Sequence, residues 1–262
     1  MAFNIFKRKE EPIILDCYTH SHYAYNHAKI NYAKNYIPDW FKKEPPITKD
    51  DIVTIKRCPA FASFYAKGIV LPSWGEVEIT VSPLGSDKPT YEWLSSNEDF
   101  DLHSNCHNKE QWSGFGDDSL QNIKFHSPWS FKTREAVNFV WSQPTWSNPD
   151  TFNSLTILPA VIQFKTQAAT EINFVIQQKE IEQKIKLPAL TPLVMLHPMT
   201  ERKIKIRHHL VDYDKFYKIN RRSGGMVLAS IAEDATKRTA KRFLETERFW
   251  KKADELNKCP FE

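Results

Sequence analysis

The 262-residue sequence is short of glycine, with 7 residues, and of cysteine, with 4. The cysteines (Cys17, Cys58, Cys106 and Cys259) are scattered without Cys-x-x-Cys spacing, so a disulfide framework is not expected. No apolar run approaches the roughly 20 residues needed to span a bilayer, and the charged residues 7–11 rule out a signal-peptide core. These absences favour a cytosolic protein with reduced cysteines and no membrane contact.

Familiar catalytic motifs are also missing. The sequence has no Gly-x-Ser-x-Gly elbow, no P-loop and no Gly-x-Gly-x-x-Gly, because Gly224-Gly225 is a lone pair in front of a helical pattern. An enzyme of a familiar motif type is therefore disfavoured, and no cofactor is expected.

Core-forming residues are plentiful, since 41% of the chain is hydrophobic and 13% aromatic. The formal net charge of +4 is too small by itself to indicate a nucleic-acid protein. Its distribution is uneven: residues 201–262 contain 16 Lys/Arg against 10 Asp/Glu (net +6), which leaves a net charge of −2 for the rest. The basic excess therefore lies in the C-terminal quarter.

Residues 121–133 carry the clearest structural pattern. Ile123, Phe125, Trp129 and Phe131 lie on one face of an alternating segment, and polar side chains such as His126 lie on the other. Alternation of this kind indicates a half-buried β-strand. We predict one continuous central strand whose polar face is directed towards a polar loop at residues 95–119.

Similar short apolar segments, among them Ile13–Thr19, recur at roughly 10–20-residue spacing. They predict a mainly β protein whose body is an antiparallel β-sandwich or jelly roll with short helices. We divide the chain into an N-terminal arm and anchor segment (1–50), the sandwich body (51–210) and a basic C-terminal extension (211–262). The extension is predicted to contain a long α-helix of up to about 30 residues.

Metal ligands are one candidate site type. The polar loop contains His103, Cys106 and His107, and His126 follows on the central strand. His and Cys donate to zinc or iron, so these four residues could form a metal site, although solvated loop histidines are the favoured interpretation. A metal-dependent or nucleotide-acting enzyme on this scaffold is the alternative hypothesis for the function.

Basic residues near the C-terminus are a second candidate, for contact with phosphate. They are Arg221, Arg222, Lys237, Arg238, Lys241 and Arg242. Acidic residues are interleaved among the later ones, so a salt-bridged helix face is favoured and nucleic acid is an unlikely partner.

Aromatic anchors are the third candidate. Trp40 and Phe41 follow Ile37 and Pro38 in an amphipathic segment, and the C-terminal helix would present Phe243, Phe249 and Trp250. Large aromatic side chains of this kind dominate protein–protein interfaces. We expect the Trp-Phe pair to pack on the body.

Several short motifs, in order, resemble an uncharacterised family of proteins encoded by large tailed bacteriophages, notably marine myoviruses. The motifs are Ile37-Pro38-Asp39-Trp40-Phe41-Lys42-Lys43, Thr54-Ile55-Lys56-Arg57-Cys58-Pro59, Gly68-Ile69-Val70-Leu71-Pro72-Ser73-Trp74, Phe125-His126-Ser127-Pro128-Trp129 and Ala189-Leu190-Thr191-Pro192-Leu193. The acidic G-I-V-D-T-D segment of that family is replaced here by residues 158–164, which contain no acid.

The resemblance implies a phage-encoded β-sandwich protein of unassigned biochemical role, with no catalytic residues to carry over. Our leading hypothesis is therefore a non-enzymatic interaction or structural protein. It would dock on other phage or host proteins, or on a second copy of itself, in the host cytoplasm or the virion.

Overall fold

The computed structural model describes residues 10–81, 90–93, 104–105, 120–144, 146–147, 154–167, 171–177 and 183–223. Residues 90–93, 104–105 and 221–223 are described by their backbone alone.

The described residues form short strands and helices. The strands are β1 (Ile13–Thr19), β2 (Asn31–Tyr32), β3 (Ile69–Pro72), β4 (Val77–Val81), β5 (Thr90–Trp93), β6 (Ser104–Asn105), β7 (Leu120–His126), β8 (Ser130–Thr133), β9 (Asn138–Ser142), β10 (Leu155–Ile157), β11 (Ala160–Gln163), β12 (Glu171–Gln177), β13 (Gln183–Leu187), β14 (Pro192–Pro198) and β15 (Ile204–Leu210). The α-helices are α1 (His22–Asn26), α2 (Asp39–Lys43), α3 (Pro59–Lys67) and α4 (Tyr213–Ser223).

These strands pair into four sheets with the orders β15-β1-β8, β10-β12-β7-β6, β11-β9-β14-β3-β2 and β13-β4-β5. Neighbouring strands are antiparallel except β1 and β15, which run parallel. The predicted mainly β fold with antiparallel sheets and short helices is confirmed. The long C-terminal helix, predicted to follow Gly224-Gly225, lies outside the described residues, and α4 is a shorter helix that precedes it.

One hydrophobic core joins the four sheets. Leu15 of β1, Phe125 of β7, Val77 of β4 and Trp141 of β9 belong to a single buried cluster and are at most 2% exposed. Full burial of such a side chain stabilises the fold by about 1.5–3 kcal/mol, so packing between the sheets holds them together.

The prediction of one continuous strand over residues 121–133 is wrong. The segment forms β7, which pairs with β12, and β8, which pairs with β1 in a different sheet. Pro128 lacks the N–H that a ladder requires, and Ser127 Oγ accepts a hydrogen bond from the Trp129 N–H at 3.1 Å. The chain therefore turns between the two sheets at these residues.

The predicted inner face is confirmed, because Ile123, Phe125, Trp129 and Phe131 are all fully buried. The polar face differs along its length. Beyond the turn, its side chains are buried as well, with Lys132 only 6% exposed. The polar side chains of β8 therefore do not face solvent.

The predicted strand Ile13–Thr19 is confirmed as β1, and it occupies the middle of its sheet between β15 and β8. Its residues pair in parallel with β15 from Ile13↔Ile204 to Thr19↔Leu210. Strand β1, which lies in the predicted N-terminal segment 1–50, is thus part of the sheets built mainly from residues 51–210. The division into three parts remains a prediction.

We expect Gly68→Ala to destabilise the protein. Gly68 follows α3, its C=O accepts from the Ala33 N–H at 2.8 Å, and an added Cβ would lie 2.8 Å from Met195 Sδ and 2.9 Å from Phe64 O. Relief of such overlap in a packed interior costs about 1–3 kcal/mol. Urea unfolding of the variant measures the loss. Ala66→Ser, at an exposed position of α3, is the control, and an unchanged midpoint for Gly68→Ala would contradict the expectation.

Candidate functional site

A buried polar cluster lies on the outer face of the sheet β15-β1-β8. The register places Asp16 of β1 between Lys132 of β8 and Arg207 of β15. The next outward-facing residue of β1, Tyr18, pairs with His209 of β15. Because alternate residues of a strand share a face, these side chains meet on the side opposite the core. We call Asp16, Tyr18, Arg207 and His209 the Asp16 cluster.

The carboxylate of Asp16 is the centre of this cluster. Arg207 donates to it with two nitrogens, Nε to Oδ1 at 2.7 Å and Nη2 to Oδ2 at 2.9 Å, and His209 Nε2 lies 2.8 Å from Oδ1. The imidazole of His209 stacks on the Tyr18 ring, with centroids 4.6 Å apart and planes 18° from parallel. The Asp16 side chain is 1% exposed, whereas that of Arg207 is 48% exposed. The ion pair therefore extends from the interior to the surface.

Burial raises the pKa of Asp16, but the hydrogen bonds and charges of His209 and Arg207 outweigh it and leave the pKa below its usual value. The carboxylate is therefore ionised at neutral pH. A carboxylate hydrogen-bonded to an imidazole orients the ring, an arrangement also found where histidine acts as a general base. Here the same carboxylate also binds the Arg207 guanidinium with both oxygens. The arrangement joins β1 to β15 by charge-assisted hydrogen bonds across a separation of more than 190 residues.

Helix α4 covers part of the cluster. Asp212 precedes the first residue of the helix and caps it: its Oδ1 accepts a hydrogen bond from the Lys215 N–H at 2.8 Å. Phe216 and Ile219 form a small buried core with Tyr18. One turn later, Asn220 Oδ1 accepts a hydrogen bond from the Ser130 hydroxyl of β8. The helix is thereby held on the outer face of the sheet.

The two adjacent histidines of β15 lie on opposite sides of the sheet. His209 belongs to the Asp16 cluster, whereas His208 Nε2 lies 2.8 Å from the Ile30 carbonyl oxygen and the ring packs edge-on against Trp129. Burial lowers the pKa of His208 despite that hydrogen bond. This side chain therefore favours the neutral form and serves packing.

The Asp16 cluster was not predicted from the sequence. A local signal exists: Asp16 and Tyr18 alternate with apolar residues in β1, and His20 continues the alternation directly after it. The pattern identifies a polar face on β1, but the partners on β15 follow from a parallel pairing that no local pattern reports.

A second candidate site is an exposed aromatic surface around α2. Phe41 is buried and stacks on Phe61, with centroids 4.0 Å apart and planes 15° from parallel, so the expected packing of the Trp-Phe pair on the body is confirmed for Phe41. Trp40 packs edge-on against both rings and remains 41% exposed. Its indole N–H donates to the Trp146 carbonyl at 3.1 Å, and Trp146 is likewise 41% exposed.

The loop after α2 also exposes large apolar side chains. Ile47, Ile52 and Val53 are 43%, 62% and 60% exposed, and Ile47 forms a β-bridge with Val53. The Thr48 N–H donates to the Ile52 carbonyl at 2.9 Å, which closes the turn. We call Trp40, Ile47, Ile52, Val53 and Trp146 the Trp40 surface; they are five of the eleven large hydrophobic side chains exposed in the described part of the chain.

The other predicted site residues are placed as follows. Arg221 and Arg222 lie in the last turn of α4, where the backbone alone is described. His126 is 31% exposed, with Nδ1 3.6 Å from Glu171 Oε1. The remaining ones lie outside the described residues: His103, Cys106, His107, Lys237, Arg238, Lys241, Arg242, Phe243, Phe249 and Trp250.

Within the described ranges, no group of three or more His, Cys, Asp or Glu side chains has the geometry to hold a metal ion. Because three of the four predicted ligands lie outside those ranges, the zinc or iron site stays a prediction.

Comparison with known proteins adds no assignment: no protein-family model matches the chain, and no curated protein matches it. In the described part of the chain, no helix combines the length and apolar character needed to cross a membrane.

We expect Asp16→Asn to lower the free energy of unfolding at pH 7 by about 3 kcal/mol, at the lower end for a broken buried ion pair because Arg207 is half exposed. Chemical denaturation measures the loss. The control is Glu201→Gln, which removes an exposed ion pair with Lys67 and is expected to cost at most about 1 kcal/mol.

Comparison of the wild type with Asp16→Asn also tests the sign of the pH dependence of stability. Because the pKa of Asp16 is lowered in the folded state, its stabilisation is complete above the unfolded value of about 3.9 and is lost as the pH falls through the folded value. The stability difference between the wild type and Asp16→Asn should therefore shrink below about pH 4. A difference that stays constant from pH 7 to pH 3 would contradict the role given to this carboxylate.

Proposed function

We propose that this protein is a non-enzymatic interaction protein that docks on a partner protein through the Trp40 surface. The observation that supports the proposal is the pair of half-exposed tryptophans, Trp40 and Trp146, held side by side on a buried aromatic base.

The base makes the surface rigid. Phe61 contacts Trp40, Phe41 and Trp146, with ring centroids 6.0, 4.0 and 5.4 Å away. The ammonium group of Lys56 donates to the Phe41 and Lys42 carbonyls at 2.8 and 3.1 Å, which fixes the end of α2. A partner that binds here would not have to order these side chains, so little of the binding energy would be lost to conformational entropy.

The composition of the surface also favours a protein partner. Tryptophan is enriched among the residues that dominate interface energetics, and the aliphatic Ile52 and Val53 are exposed on a closed turn in the loop that follows α2. The Trp40 indole N–H is already satisfied by Trp146, so Trp40 offers an apolar face rather than a hydrogen-bond donor. Exposed apolar groups of this kind mark interaction sites on proteins.

The motif resemblance supports the remaining parts of the proposal. The segment Ile37-Pro38-Asp39-Trp40-Phe41-Lys42-Lys43, which contains the main anchor, is one of the motifs shared with the tailed-phage family. We therefore propose a phage-encoded protein whose partner is another phage or host protein, acting in the host cytoplasm or the virion. Mass spectrometry of purified particles tests the virion location.

Site-specific photo-crosslinking tests the docking surface. A photoreactive phenylalanine analogue at position 40, introduced into the full chain in phage-infected cells, should yield one discrete crosslinked protein identifiable by mass. The same analogue at position 184, an exposed lysine on β13, is the control and should not yield it.

A second variant links the crosslink to the apolar surface. Ile52→Asp places a charge on an already exposed turn, so the fold should be retained while the crosslinked species decreases at least tenfold. The absence of a discrete species at position 40, together with a monomeric mass in light scattering, would refute docking through this surface.

A further inference from the structure

The positive charge of the protein is concentrated in one short stretch. Residues 203–223 contain seven Lys/Arg and two Asp, a net charge of +5, while the whole chain has a net charge of +4. The other residues together are therefore close to neutral, at −1. Residues 203–223 comprise the edge strand β15, the residue before it, the helix α4 and the connection between strand and helix.

The fold puts the outward-facing side chains of β15 and the helix α4 on the same face of one sheet. Ile204 and Ile206 pack against the core, so the alternate residues Lys205 and Arg207 lie on the outer face. Helix α4 packs on that outer face through Tyr18 and Ser130. We call Lys203, Lys205, Arg207, Tyr213, Tyr217 and Lys218 the α4–β15 surface.

Several of these charges are not neutralised within the described part of the protein. Lys215 pairs with Asp212 at 3.4 Å, and Arg207 with Asp16. No salt bridge within 4 Å joins the exposed Lys203, Lys205 or Lys218 to another described residue, although the charge of Lys218 helps to lower the pKa of Asp212. The positive charges of Lys203 and Lys205 therefore remain available to an external polyanion.

Two exposed aromatic rings lie on α4, beyond the end of β15 that is opposite Lys203 and Lys205. Tyr213 and Tyr217, one helical turn apart, are 55% and 51% exposed, and their ring planes are 16° from parallel. Tyr213 also packs edge-on against His20, with centroids 5.3 Å apart, and Phe216 and Ile219 anchor the helix beneath. The tyrosine faces are thus exposed at the surface but held on a fixed helix.

From this combination we infer that the α4–β15 surface binds single-stranded nucleic acid. Unpaired bases offer flat faces that stack on exposed aromatic rings, and the accompanying phosphates pair with lysine and arginine. In a duplex the base faces are already stacked on one another, so the tyrosines would contribute little. This inference is independent of protein docking, because the Trp40 surface is formed by other residues.

Fluorescence anisotropy of the full-length protein with labelled 20-nucleotide poly(dT) and poly(U) tests the inference. Three or four phosphate contacts predict binding that weakens about 20- to 50-fold between 50 and 200 mM salt. The two probes separate DNA from RNA as the preferred strand, and either result supports the inference.

Four double variants separate stacking from charge. Tyr213→Ala with Tyr217→Ala should weaken binding by at least about fivefold for each ring, and Tyr→Phe at both positions should retain it, because the rings remain. Lys205→Glu with Lys218→Glu should weaken binding further and flatten its salt dependence. Lys43→Glu with Lys49→Glu, exposed lysines outside this surface, makes the same charge change and should leave binding within about twofold of the wild type.

Four results would overturn the inference: no anisotropy change at 50 mM salt, equal affinity for a 20-base-pair duplex, binding unaffected by loss of both rings, or equal loss in the Lys43/Lys49 control. The Ile52→Asp variant distinguishes the two proposals, since it should reduce crosslinking from position 40 to the partner protein and leave binding to poly(dT) intact.

Discussion

The buried carboxylate of Asp16 is the interaction on which the sheet β15-β1-β8 depends. An ionised group out of contact with water is costly unless it is paired and hydrogen-bonded. Asp16 meets that condition only where β15 supplies Arg207 and His209 beside it. The first and the last described strands, β1 and β15, are therefore mutually dependent.

This dependence also positions the helix that follows. Because β15 ends beside the end of β1, the chain enters α4 at the edge of the outer face, and Phe216 and Ile219 cover Tyr18. Part of the polar face thereby becomes an interior layer, and Ser130, which is hydrogen-bonded to Asn220 of α4, is fully buried. The outward side of α4 and the open side of β15 remain at the surface with their tyrosines and lysines.

The molecule thus presents two surfaces with different physical character. The Trp40 surface is apolar and rests on stacked aromatic rings, so its affinity would come from burial and from preorganisation. The α4–β15 surface is cationic with exposed rings, so its affinity would depend on salt.

The sequence by itself determined the mainly β fold, the strand Ile13–Thr19 and the buried face of Ile123, Phe125, Trp129 and Phe131, because period-2 alternation is a local property. The tertiary structure alone decided that this segment divides at Pro128, that Asp16 meets His209 and that a helix buries the polar side of β8. Those outcomes depend on strand register and sheet order. Contacts between residues nearly 200 positions apart leave no local pattern in a sequence, since either partner alone resembles an ordinary solvated side chain.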